Sequence, residues 1–436
     1  SFRRAHPAGR SRDGGERGDP QGRPRRGRRA LRRARHRARE EPLHVLGVRT
    51  RGSRRAAEGT RRVRSRGDHE PGQDLSGRRC VRGHTDRAHQ ARARGGDVGV
   101  ATALATHAID GITPRDIIRA TNEAHVVDAI RGANERREAI VVSGGATRIG
   151  IGDPPARYDV ALDLSAVRGI VEYEPADLVA TVRAGTTLAE LAEALAPHAQ
   201  RWPVEAGLPD RATVGGTLAS AAGGPSRLRY FHPRDWVIGA RVVLGDGTAV
   251  RSGGRVVKNV TGYDLTRLWS GTFGTLAAIV ELTLKLTAIP ERTVSLVAEI
   301  DVAAAFAAAN DLHATGLPLD ALAIVSGDAV GTLGAARLAW PAGTRPEIDF
   351  AGYDAVIYPG NATAYLLRSI DRAIFRKVRA SLEAADGVAV LERASADYKR
   401  DVGGAWGAPR VPLGIARALK ERFDPRGVLA PGRVPE

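Results

Sequence analysis

The chain has almost no cysteine and no methionine. Cys80 is the single Cys among 436 residues, and Met is absent throughout. One thiol cannot form a disulfide within the chain, and it cannot supply the Cys ligands of an iron–sulfur cluster or a Cys-rich zinc site. No apolar stretch reaches the length of a membrane span, so we expect no integral membrane segment. The lack of disulfide-forming Cys pairs and of a membrane-length apolar stretch is typical of a cytoplasmic protein.

Positive charge is abundant, but it is confined to one region. The net charge is +17, and residues 1–97 alone hold 29 Arg, no Lys and 11 acidic residues, which gives that segment +18. The remaining 339 residues therefore carry −1. Such a balance is ordinary for a folded protein, so the composition beyond residue 97 does not indicate a nucleic-acid partner.

Residues 1–97 are rich in Arg, Gly and His and lack a sustained apolar period, so we expect them to be disordered. Three interpretations compete: a basic nucleic-acid-binding arm, a targeting peptide, or a stretch that is not natural coding sequence. We favour the third, because Arg-rich, Lys-free sequence is what an out-of-frame translation of GC-rich DNA gives. The natural start then falls near Val98–Thr106.

Local patterns predict mixed secondary structure from about residue 108 onward. Thr187 and Glu190 form the spacing of a capping box at the start of "TTLAELAEALAPHA", which predicts a helix. Asp-Gly within "ARVVLGDGTAVR" predicts a hairpin, and Thr121 is the expected N-cap of an earlier helix. After Pro290, strands alternate with helices in a pattern typical of an α+β domain with an antiparallel sheet.

The stretch "SGGATRIGIG", residues 143–152, follows an apolar strand and is rich in glycine. It lacks the helix start and spacing of a dinucleotide-binding fingerprint, and no G-K-[ST] triplet exists for a P-loop. Further glycine pairs stand at 215–216 and 223–224. Each pair lets backbone approach a ligand without a Cβ in the way, although each is equally explained as a turn.

Several motifs in order resemble the FAD-binding domain of the vanillyl-alcohol oxidase/PCMH family, and more narrowly the FAD-binding subunit of bacterial glycolate oxidase. They include "VVSGGATRIGIG", "VRAGTTLAELAEAL", "ATVGGTLASAAGGPSR", "RVVKNVTGYDLTRLWSGTFGTLAAIVELTLKL" and "RFDPRGVLAPGR". The resemblance implies an α+β fold, with a two-lobed PCMH-type FAD-binding domain over residues 106–289. A small α+β cap domain with an antiparallel sheet is expected over residues 290–436.

The resemblance also implies which residues bind FAD. In the family, the loop that matches residues 143–148 wraps the pyrophosphate with backbone amides, and the later glycine pairs run along the ribityl and flavin region. Carried over to this chain, the expected FAD-binding residues are Gly144, Gly145, Ala146, Thr147, Arg148, Ser165, Thr213, Gly215, Gly216, Ala219, Gly223 and Ile279. A structural role is the alternative for Ser165 and Ile279, as it is for Lys258 and Asp264 in the later motif.

Two departures from the family pattern matter. Many members attach FAD through a His directly after the Gly-Gly, and Ala146 stands there, so we expect non-covalent FAD. Ala430 stands where the family's tail carries Asn, which removes one polar contact. His313 is the single His after residue 290, and His232 in "RYFHPRDW" is more typical of a structural residue, so the catalytic residues stay unassigned.

The resemblance implies a flavoprotein subunit of a glycolate-oxidase-like complex that oxidises a small 2-hydroxy acid. Its expected partners are a catalytic flavoprotein subunit and an iron–sulfur subunit, with no nucleic acid bound and no metal site. It would lie in the cytoplasm, or at the inner membrane through those partners. A stand-alone FAD-dependent oxidoreductase for another alcohol or hydroxy acid is the alternative, and a nucleic-acid-binding protein using the Arg-rich segment is a third hypothesis.

Overall fold

A computed structural model describes residues 104–254, 264–327, 335–409 and 411–435, together with the backbone of residues 43–44 and 48–49. The expected disorder of residues 1–97 therefore lies outside the described residues, apart from those two short strands. Lys258 also lies outside them.

A parallel sheet forms the first lobe. Its strands are Asp116–Arg119, Val160–Asp163 and Ile140–Ser143, with Val160–Asp163 in the middle. The helix Glu123–Arg136 packs on it through Val126, Ile130 and other apolar residues. Asn122, not Thr121, is the N-cap, because its side chain accepts from the His125 amide at 3.0 Å; the expected cap was wrong by one residue.

An antiparallel five-stranded sheet forms the second lobe. Its order is Ala249–Gly253, Val237–Leu244, Ala277–Lys285, Val179–Arg183 and Ile170–Glu174. The first two strands are the predicted hairpin, with Gly247 in the left-handed region at its turn (φ 83°). The predicted capping box is confirmed: Thr187 Oγ1 accepts from the Glu190 amide at 3.1 Å, and Glu190 accepts from the Thr187 amide at 2.8 Å.

Short elements complete this half of the chain. They are the helices Leu188–Leu195, Val214–Ala219, Arg227–Tyr230 and Leu265–Leu268, the 3-10 turns Ala196–His198 and Pro233–Trp236, and the paired strands Gln200–Arg201 and Thr287–Ala288. Asp264 caps the helix Leu265–Leu268, so it takes the structural role weighed for it.

A seven-stranded sheet dominates the second half. Its order is Ala298–Glu299, Val48–Arg49, Ile324–Ser326, Ala355–Tyr358, Thr363–Leu366, Ala336–Ala339 and Val388–Leu391. The last five strands are antiparallel, while Val48–Arg49 pairs in parallel with its two neighbours. A smaller parallel sheet joins Val294–Ser295, Leu43–His44 and Leu319–Ala321. The expected α+β class with an antiparallel sheet is confirmed.

The helices Val302–Ala314 and Arg372–Ala384 bury apolar faces against one side of the seven-stranded sheet. Phe306 and Phe375 are the largest side chains that these two helices bury. Burying a side chain of this size contributes about 1.5–3 kcal/mol to the stability of the fold.

The chain ends its described course by returning to the first lobe. The helix Leu413–Phe423 is followed by a segment that places Val428 and Leu429 in the core of the parallel sheet. Leu429 bridges to Ile140 in parallel. The boundary at residue 290 stays a prediction, but residues 413–433 pack with the first half of the chain rather than with the seven-stranded sheet.

Candidate functional site

A cavity opens between the two lobes of the first half. Its walls come from the strand end and loop at 141–149, from the helix Val214–Ala219, from the strand Ala277–Lys285 and from the tail residue Arg433. Concave sites with mostly apolar walls and a few polar groups are where small molecules and cofactors bind.

The loop after the strand Ile140–Ser143 supplies unpaired donors to this cavity. The amide nitrogens of residues 144 to 148 find no hydrogen-bond acceptor among the described residues. Ala146 lies in the left-handed region (φ 54°), which interrupts the extended course of the loop. Consecutive free amides around such a bend form a concave site for an anion. The pyrophosphate of FAD is an anion of that kind, so the loop fits the cofactor that the sequence predicts.

Close packing explains the two glycines of the loop. A Cβ on Gly145 would lie 1.6 Å from the Arg211 carbonyl oxygen, and a Cβ on Gly144 would lie 2.4 Å from Thr213 Oγ1. The loop can therefore lie against residues 211–213 only if both positions lack a side chain. Backbone fixed in this way holds its amides in place before a ligand arrives.

The helix Val214–Ala219 forms the facing wall. Thr213 caps it, with its Oγ1 accepting from the Gly216 amide at 3.2 Å. Gly215 lies against Ala184, where an added Cβ would be 2.6 Å from the Ala184 Cβ. The small residues at 215, 216 and 219 thus keep this wall close to the lobe behind it and open toward the cavity.

Two buried cations hold the segment that follows the loop. Lys399 Nζ donates to the Gly150 carbonyl at 2.7 Å and the Gly152 carbonyl at 2.8 Å, and it pairs with Asp110 at 2.7 Å. Arg433 donates to the carbonyls of residues 149, 151 and 153. Five consecutive carbonyls thus accept from two side chains, which we call the carbonyl clamp. Burial lowers the pKa of both clamp residues from the ordinary values of Lys and Arg.

The clamp lies between distant parts of the chain. Lys399 belongs to the helix Ala396–Asp401 beside the seven-stranded sheet, and its side chain is fully buried. Arg433 also lines the cavity, and its own carbonyl accepts from the Trp406 indole at 2.8 Å. Trp406 in turn meets Phe273, another cavity residue, edge to face at 5.1 Å.

Most of the predicted residues come together. The cavity is lined by Gly144, Gly145, Ala146, Thr147, Arg148, Thr213, Gly215, Gly216, Ala219 and Ile279. Ser165 lies in an adjoining cleft with Gly145 and Arg211. Gly223 lines neither space; it lies beside Arg227, whose Cδ would be 2.2 Å from an added Cβ.

The sequence did not indicate four of the residues that shape the site. Phe273 and Gly274 line the cavity from the turn before the strand Ala277–Lys285, and Lys399 and Arg433 form the clamp. Ala430, singled out as a lost polar contact, is fully buried and pairs its amide with the Ile140 carbonyl at 2.9 Å. The sequence signal for Arg433 is its place at the end of "RFDPRGVLAPGR", one of the motifs that carry the family resemblance.

Among the described residues, no group of three or more His, Cys, Asp or Glu is arranged to hold a metal ion. There, too, every helix is too short or too polar to span a bilayer.

Part of the chain is similar to known FAD-binding proteins. Residues 114–253 match the family model of the FAD binding domain. Glycolate oxidase subunit GlcE of Escherichia coli (strain K12) is 34% identical over 198 residues, which cover 45% of this chain and 56% of that protein. Glycolate oxidase subunit GlcD of Bacillus subtilis (strain 168) is 33% identical over 194 residues, covering 44% and 41% respectively.

A third relative is the D-2-hydroxyglutarate dehydrogenase of Xanthomonas citri pv. viticola, which is 35% identical over 161 residues. These cover 37% of this chain and 34% of that protein. The chain thus spans about half or less of the length of these relatives.

Proposed function

We propose that this chain is the FAD-binding subunit of a 2-hydroxy acid dehydrogenase complex, because residues 114–253 match the FAD binding domain model and the chain resembles glycolate oxidase subunits. Its substrate class is a small 2-hydroxy acid such as glycolate. The five unpaired amides of residues 144–148, in a loop that lines the cavity, are the observation that supports the cofactor part of this proposal.

FAD supplies the two-electron acceptor for such a reaction when it is bound. The chain's own residues bind and orient it. The loop amides would hold the pyrophosphate, and the small residues at 215, 216 and 219 would let the cofactor approach the facing wall; Ile279 borders the cavity on the sheet side. The carbonyl clamp keeps the segment after the loop from relaxing into the space.

The cofactor is held without a covalent bond. Ala146 occupies the position after Gly-Gly, and its methyl group cannot be alkylated by a flavin. Precipitation with trichloroacetic acid therefore leaves the yellow flavin in the supernatant. Flavin that stays with the washed pellet would contradict this part of the proposal.

The partners are a catalytic flavoprotein subunit and an iron–sulfur subunit. Two of the relatives are named as subunits, which favours an assembly. Cys80 is the single Cys in these 436 residues, so the Cys ligands of any cluster would have to come from another chain.

The test is a tagged purification from the native host. We expect flavin absorbance near one FAD per chain, two co-purifying proteins, and dye reduction by glycolate or D-lactate that needs the assembly. A chain without flavin would overturn the proposal. Full activity of the isolated chain would instead favour a stand-alone oxidoreductase.

A further inference from the structure

One side of the seven-stranded sheet carries polar side chains into the interior. Arg337 and Tyr365 lie opposite each other on neighbouring strands, and the Tyr358 ring meets the Tyr365 ring at 6.0 Å. Their strand neighbours Leu338 and Leu366 point to the other side, into the apolar core. An interior face with Arg and Tyr is unusual, because buried polar groups are retained only where they find partners.

This face connects with the loop at the cavity. Glu392 Oε1 accepts from Arg337 Nε at 3.2 Å and from Arg148 Nη2 at 3.0 Å, and its side chain is only 4% exposed. Arg148 also lines the cavity. One buried carboxylate thus bridges a cation of the sheet and a cation of the loop.

A third cation comes from the segment after the glycine pairs. Arg227 Nη2 lies 2.6 Å from His232 Nε2. The pKa of His232 is lowered to about 4, mainly by burial and further by the positive charges of Arg227, Arg234 and Arg337. The negative charge of Asp235 offsets part of this shift. The imidazole is therefore neutral at physiological pH and accepts this hydrogen bond, so it does not balance the charge of Arg227.

The charges of this group do not cancel. The buried carboxylate of Glu392 pairs with both Arg148 and Arg337, while Arg227 contacts the neutral His232. Among the described residues, the Nε atoms of Arg148 and Arg227 are buried and have no hydrogen-bond partner. Burial raises the pKa of Tyr365, so its hydroxyl stays protonated as a further donor. Buried cations in excess are costly unless an anion joins them.

We propose that Arg148, Arg227, Arg337 and Tyr365 form a binding site for the carboxylate of the small 2-hydroxy acid substrate. This inference rests on the proposed function. We call these four residues with His232 and Glu392 the arginine–tyrosine cluster. A planar guanidinium with free N–H groups recognises a carboxylate through paired hydrogen bonds.

A phosphate group of the cofactor is the other anion that the cluster's chemistry would accept. The loop amides at 144–148 already offer donors to the pyrophosphate. Arg337 and Tyr365 belong to the seven-stranded sheet and not to the FAD binding domain that spans residues 114–253. Both points favour a substrate group at the cluster.

The experiment measures binding of oxalate, a carboxylate that cannot be oxidised by hydride loss. FAD-loaded wild-type protein is titrated with oxalate while the flavin absorbance is recorded, and the melting temperature is measured with and without oxalate. Arg227→Gln and Arg337→Gln remove cations of the cluster. Arg417→Gln is the matched control, because Arg417 is exposed on the helix Leu413–Phe423.

We expect each cluster variant to weaken oxalate binding roughly 10- to 100-fold, since a hydrogen bond to a charged group is lost. FAD content stays at the wild-type level, and Arg417→Gln binds oxalate like wild type. Arg227→Lys keeps the charge without the paired N–H groups, and it should give an intermediate affinity, which separates recognition from a folding defect.

Two results would overturn the inference while leaving the proposed function intact. Unchanged oxalate affinity in the Arg227 and Arg337 variants would mean that the cluster binds no carboxylate. Loss of FAD from folded variants would assign the cluster to a cofactor phosphate instead. Failure of the proposed function looks different, because the wild-type protein itself would then lack flavin.

Discussion

Replacing Lys399 by Met removes one half of the carbonyl clamp while keeping a side chain of similar length. The change leaves the Asp110 carboxylate buried without its partner at 2.7 Å, and it leaves the Gly150 and Gly152 carbonyls without a donor. Removing one partner of a buried ion pair costs about 3–5 kcal/mol. We therefore expect a loss of about 4 kcal/mol in the free energy of unfolding.

The melting temperature gives a direct assay. A loss of that size lowers it by roughly 10 °C in a domain of this size. FAD affinity should fall as well, because the segment after the loop at 144–148 loses its anchor. Lys377→Met is the control, since Lys377 is exposed on the helix Arg372–Ala384 and its loss should leave both quantities near wild type.

A double variant tests the reasoning itself. In the Lys399→Met background, Asp110→Asn removes the buried carboxylate charge that has lost its partner. The double variant should therefore be more stable than Lys399→Met alone. Additive losses would refute the claim that the buried carboxylate causes most of the cost. A melting temperature within 2–3 °C of wild type for Lys399→Met would refute the clamp as a stabilising feature.

Three further predictions concern single side chains. Gly145→Ala should abolish FAD retention, because its Cβ would overlap the Arg211 carbonyl, whereas Gly414→Ala, with open space around it, should retain flavin on a desalting column. Thr187→Ala should cost about 1 kcal/mol of stability through loss of the helix cap, measured by urea unfolding. His232 has a folded pKa of about 4, below its ordinary 6.5, so the unfolded chain binds the proton more readily and stability falls as pH drops from 6.5 to 4. Because solvent screens this half-buried imidazole, the expected loss is on the order of 1–2 kcal/mol. His232→Gln should reduce the dependence of stability on pH, and an unchanged dependence would exclude His232 as its source.

Local signals in the sequence predicted much of the first half. The capping box at Thr187 and the hairpin around Gly247 depend on neighbouring residues, so short sequence patterns were sufficient to predict them. The match of residues 114–253 to the FAD binding domain confirms the resemblance that the glycine loops indicated. The one-residue error at Thr121 arose because Asn122 is an equally good cap.

Long-range polar contacts could not be predicted in this way. Lys399 contacts residues about 250 to 290 positions earlier, and nothing around it in "SADYKRD" distinguishes it from an exposed lysine. The arginine–tyrosine cluster could not be predicted for the same reason: Arg227 and Arg337 are far apart in the sequence, and they come near each other only when the two halves of the chain pack. His232, interpreted as structural from its neighbours Phe231 and Pro233, proves to be the partner of Arg227.

The carbonyl clamp also has a consequence in time. Arg433 is 284 residues later in the chain than Ile149, whose carbonyl it holds. At roughly 5–20 residues per second, a ribosome needs on the order of 15–55 s to synthesise that interval. During this period the glycine loop has emerged without its clamp. The nascent chain should therefore acquire FAD late, and stalling synthesis just before Arg433 should yield ribosome-bound chains that retain little flavin.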